Sequence, residues 1–228
     1  MSRPPVDPAM DATLRASWSS ACGLYQYLRS GGSLRPDPHT PLRLKPDENH
    51  FATAAFGYAR FYGTAVEYQQ SSNLWFGSPT FVLGGMAAEA FANSHARNRA
   101  AAMAAVQWRE HATVRAALTD QRILCDHSGT WLNFWHEGVQ ELAVDLSRWA
   151  FVLRFEEGVP LMLHGPPAPW FAVAISWLVY GPRGLNMPWF GPLVEAISAR
   201  QAVLGQTRRE IEPGGAEGSS GQGPSPGY

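Results

Sequence analysis

The 228-residue chain carries 18 basic and 19 acidic side chains, a net charge of −1 with histidine neutral. That balance offers no field to draw nucleic acid or an anionic bilayer to the surface. Two cysteines make neither a disulfide framework nor a four-thiolate zinc site, and 45% hydrophobic residues exclude a wholly disordered regulator.

Residues 1–10 hold Arg3, Asp7 and three prolines with no apolar stretch of a signal peptide, so they read as disordered and the cytoplasm is the expected compartment. Asp11 stands as the cap of an amphipathic helix over 11–32. In it Leu14, Trp18, Cys22, Tyr25 and Leu28 recur at three- and four-residue steps, and Gly31-Gly32 marks the stop. The stripe either docks on the chain's own domain or serves a partner as a detachable helix. Pro36, Pro38, Pro41 and Pro46 hold 33–50 as an extended linker.

From Phe51 to Gln70, aromatic and β-branched residues predict two strands meeting at Gly63-Thr64. Ser78-Pro79 opens an alanine-rich helical insertion over 78–105. Its first half is apolar, with small residues spaced for close helix contact. Residues 78–92 are therefore candidates for self-association, and Phe81 and Leu83 for contact with a protein or membrane surface. Glu89 and the polar run 93–99 stop the apolar stretch short of a membrane span. A basic thread runs through His95, Arg97, Arg99, Arg109, Arg115 and Arg122. It reads as a solvated helix face, with Arg97 and Arg99 as contact candidates. Interleaved Glu110 and Asp120 and the scarcity of flanking aromatics argue against nucleic acid.

Between His111 and Gly165 the apolar period is two, broken by turns at Thr119-Asp120, Ser128-Gly129 and Glu157-Gly158. Short antiparallel strands in that rhythm make a sandwich or barrel. Gly165-Pro166-Pro167 ends the sheet. A helix from Pro169 to Tyr180 then puts Trp170, Val173, Ala174, Trp177 and Leu178 on one stripe before Gly181-Pro182. A last helix lies within 185–205, and the Gly/Ser/Pro/Glu-rich tail 206–228 reads as disordered.

Templates for catalysis fail one by one. Cys125-Asp126-His127 puts thiol and imidazole on one strand face with the carboxylate opposite, and such a cysteine is more often a small buried hydrophobe. His136-Glu137 followed by Glu141 is half of a zincin motif without its second histidine. No phosphate loop and no nucleophile elbow is present, and no cofactor is expected.

Five or more antiparallel strands closed by one helix, with Thr119-Asp120-x-Arg122 opening an apolar strand, is a plan that resembles bacterial PH-like and GRAM-like domains. Trp131 and Trp135 on the next strand and the helix 169–180 fall where such a domain places them. The resemblance implies an α+β fold: a PH-like antiparallel half-open barrel over 51–181, closed by one C-terminal helix, with the helical insertion and flanking amphipathic helices. The basic cluster by which lipid-binding members grip inositol phosphates is reduced here to Arg60, so phosphoinositide recognition is not implied. The expected function is a non-catalytic binding module contacting a protein or a peripheral membrane surface. Trp189 and Phe190 are expected as anchors for a partner or for the N-terminal helix. The alternative is a small-ligand-binding protein or enzyme with a Trp-lined pocket and a histidine such as His136.

Overall fold

The computed structural model describes residues 8–63 and 106–211. The first helix, α1, is Pro8–Arg29. It begins three residues ahead of Asp11, which lies inside the first turn and pairs with Arg15 at 2.6 Å instead of capping. The expected stripe is the face that packs: Cys22, Tyr25 and Leu28 are buried together with Ala21. Helix α1 is thus a layer of the molecule, not a detached element.

Seven strands follow: β1 His50–Tyr62, β2 Gln107–Thr119, β3 Arg122–His127, β4 Thr130–Trp135, β5 Val139–Asp145, β6 Ala150–Phe155 and β7 Leu161–His164. They form one antiparallel sheet in the order β4-β3-β2-β1-β7-β6-β5, so β1 sits at the centre and bonds to both β2 and β7. The sheet is not closed into a barrel. Its two edge strands are nevertheless joined by only His136–Gly138, a single 3-10 turn. A link that short forces the sheet to curl until its edges meet at one corner. Phe134 of β4 and Phe155 of β6 accordingly come within 5.9 Å across the curl.

The sheet departs from the sequence reading in two places. Strand β1 is one 13-residue strand whose main partner is β2, and the strand expected beyond Gly63 lies outside the described residues, as does the insertion 78–105. Arg109, Arg115 and Arg122 lie on strands, not on a helix face. A bulge between Tyr58 and Arg60 coincides with Glu110 at φ 56° on β2, one extra residue that bends the long β1–β2 ribbon.

The second helix, α2, is Ala168–Tyr180, ended by Gly181 at φ 62°. It was expected to be amphipathic, and it is instead buried on nearly every side. Phe171 packs edge-on to Phe56 of β1 at 4.8 Å, while α1 covers the other face. Two short 3-10 turns, Gly181–Asn186 and Pro188–Phe190, lead to α3, Gly191–Ile211. Among the described residues no helix is long and apolar enough to cross a membrane.

Candidate functional site

Two places concentrate chemistry. The first is the Thr119-Asp120-Gln121-Arg122 turn. Thr119 is fully buried; its hydroxyl accepts from the Arg122 N–H at 3.0 Å and lies 2.8 Å from the Glu48 carboxylate, to which it donates. Arg122 meets Glu48 through two hydrogen bonds of 2.8 Å and reaches Asn133 at 2.7 Å. Asp120 accepts from the Asn49 main chain and side chain. The turn therefore holds the end of the proline-rich linker against the sheet, with Trp135 stacked beneath both Lys45 and Arg122. Burial alone would raise the Glu48 carboxyl; the bonds from Arg122, the Lys45 N–H and Thr119 outweigh it and hold it below its ordinary value. His136, from the corner turn, donates Nε2–H to the Thr119 carbonyl at 3.0 Å, and burial pushes its pKa down. Of the buried side-chain nitrogen and oxygen atoms in this cluster, only His136 Nδ1 lacks a hydrogen-bond partner. The cluster's chemistry is that of a latch.

The second place is a groove of about 730 Å³ between α1 and α3. Its apolar floor comes from Leu14, Trp18 and Cys22 of α1, Ala196, Ile197 and Leu204 of α3, and Trp149. The turn after β5 aims Trp149: Asp145 accepts from the Ser147 hydroxyl at 2.6 Å and from the Arg148 N–H at 3.2 Å, and the Trp149 N–H closes on the Leu146 carbonyl. The Ser147 bond holds the Asp145 carboxyl below its ordinary range. Trp149 itself sits at φ 53°, ψ 48°, a left-handed conformation that is strained for a bulky side chain. Its ring meets Trp18 at 5.8 Å. Arg200 reaches from α3 to the Ser19 hydroxyl at 3.4 Å, near enough to Cys22 to oppose the rise that burial gives that thiol. Among the described residues Arg200 has no carboxylate partner.

The other sequence candidates fall elsewhere. Phe190 is 1% exposed and packs on Tyr25 of α1 at 5.6 Å, so it anchors the N-terminal helix and is unavailable to a partner in this arrangement. Trp189 beside it is half-buried against the same core. Phe81, Leu83, Arg97 and Arg99 lie outside the described residues. Cys125 is enclosed by the sheet and burial pushes its thiol far up, while Asp126 pairs with Arg115 and His127 packs on Tyr58; this is no nucleophile with its base. Glu141 pairs with Arg154, and among the described residues no cluster fit for a metal ion occurs. Arg60 points inward, 4% exposed, donating to the Val159 carbonyl at 2.7 Å over the Phe134 ring. His136 does not line the Trp-floored groove. Sequence reasoning named Leu14, Trp18 and Cys22 as a core stripe and missed that their outer edge faces α3 across open space. Comparison with family models, with curated proteins and with solved structures finds no match.

Proposed function

We propose that the chain is a non-catalytic interaction module, a PH-like sheet-and-helix scaffold whose working face is the α1–α3 groove. The observation that carries this reading is the groove itself: a tryptophan held in a strained conformation by a dedicated turn, set into an apolar floor between two helices. Strain of that kind persists where the surroundings over-determine it and concentrates at ligand contacts. The rim around that floor is polar, with Asp11, Arg15, Ser19, Gln26, Arg200 and Gln201, and an apolar patch rimmed by polar residues is a usual form of a recognition site. The PH-like reading draws on the all-antiparallel order, the helix that follows the last strand and the role of Thr119 and Arg122 in the turn that opens β3. The contact is with a protein or a peripheral membrane surface.

Leu204, 61% exposed at the groove wall, gives the test. The tagged full chain and its Leu204→Glu variant are compared for stoichiometric co-purification from the source cell and for flotation with vesicles of mixed zwitterionic and anionic lipid. The expected result is binding in one assay, lost in the variant with its circular dichroism unchanged. A chain that stays alone in both assays, or a variant that binds as well as the parent, contradicts the proposal.

A further inference from the structure

Resting on that reading of the groove as the working face, we propose that what fills it is a single-chain amphiphile: an unbranched apolar tail ending in one carboxylate, of the fatty-acid type. The groove is narrow. Arg200 of α3 reaches Ser19 of α1 from the opposite wall, its Nη1–H donating to the hydroxyl at 3.4 Å, so one side chain spans the gap. A third helix is about 10–12 Å across with its side chains and cannot seat lengthwise between walls that close. An extended peptide would lay unpaired backbone N–H and C=O groups on a floor made by Leu14, Trp18, Trp149 and Ile197. A hydrocarbon chain brings no such groups and is slender enough to lie beside the Arg200 bridge. The volume of about 730 Å³ falls within the range of sites that hold one small ligand.

Charge points to the head group. The charged side chains that line the groove are Asp11, Arg15 and Arg200. Asp11 and Arg15 neutralise each other at 2.6 Å on the α1 wall, and among the described residues Arg200 pairs with no carboxylate. The lining therefore carries one cation in excess, matched by an occupant with one negative charge. The Ser19 hydroxyl accepts from Arg200 and keeps its own hydrogen to donate. Guanidinium and hydroxyl thus meet a carboxylate at one point beside an apolar floor, a charge-assisted contact that fixes the head while the floor takes the tail. A neutral head would leave Arg200 unmatched, and a cationic one would be repelled.

Isothermal titration of the full chain with dodecanoate below its micellar concentration tests this, with dodecyltrimethylammonium as the probe of equal tail and opposite charge. The expected result is one dodecanoate bound per chain, with the cation weaker by about tenfold or more. Arg200→Gln, at an exposed position, weakens dodecanoate roughly fivefold or more at unchanged melting temperature, and Arg200→Glu reverses the order of the two probes. Equal affinity for the two probes, affinity unchanged by Arg200→Glu, or many molecules bound per chain marks detergent-like adsorption and overturns the proposal. A chain that ignores dodecanoate overturns it too. If that chain still binds a partner or vesicles and loses them in Leu204→Glu, the groove stays the working face with another occupant. If it binds nothing in any assay, both readings fall.

Discussion

Thr119, a side chain of three heavy atoms, organises one corner of the protein. Its hydroxyl closes the β2–β3 turn and touches Glu48, its carbonyl receives His136, and the Arg122 it positions meets Glu48 in turn. The turn was legible because Thr and Asp bond their own backbone within two or three residues. Its partners were not, since Glu48 lies 71 and 74 positions from Thr119 and Arg122 in a stretch that reads only as extended. Titration makes the latch visible. His136 is held neutral in the fold, so the unfolded chain binds its proton first, and stability present above the ordinary imidazole value of about 6.5 is lost as pH falls below it. Glu48 is held ionised, so its contribution is intact above the ordinary carboxylate value of about 4.3 and disappears as pH drops further. Thermal melts from pH 7 downward should show a first decline that sets in below about pH 6.5 and is flatter in His136→Gln. An equal slope in that variant would remove His136 from the account.

At the scale of elements, α1 was read well and α2 poorly, for the same physical reason. A helix with one wet face displays its burial as a period near 3.6 residues, and Cys22, Tyr25 and Leu28 do so, while Leu14 and Trp18 of the same stripe line the groove. Helix α2 is wet almost nowhere: Phe171, Ala172, Val173, Ala174 and Ile175 are consecutive and buried. A choice of five residues as its stripe therefore had no signal behind it. The close fit continues at Gly184, where the 3-10 turn after α2 passes so near that an added Cβ would fall on the Ser176 carbonyl. That turn also presents the Leu185 carbonyl to the Tyr25 hydroxyl of α1 at 2.9 Å, and Asn186 to Arg29. Gly184→Ala should therefore push the turn off α2 and loosen α1 with it, costing about 1–3 kcal/mol in denaturant unfolding, whereas Gly23→Ala, with open space at its Cβ, should cost nothing. Equal stability of the two variants would mean that the turn is not a fixed spacer between the helices.

Over the whole molecule, the layers run from curled sheet to α2 to α1, and the groove lies outermost, where α1 and α3 diverge. The antiparallel sheet, and the run of short strands and then helices after residue 106, could be read from turn spacing and alternation. The curl could not, because it depends on which strands become edges and on the three-residue link between them. Nor could the groove, which exists because two helices distant in sequence fail to close on each other. The polar latch and the groove stand apart, so the proposed working face is separate from the cluster that ties the linker to the sheet. Photo-crosslinking in the source cell tests that separation most directly. A photoreactive phenylalanine at Gln201, on the groove wall, should give a discrete crosslinked species, while the same group at exposed Glu157, on the β6–β7 turn, should give none. Crosslinks from position 157 with silence at 201 would contradict the account.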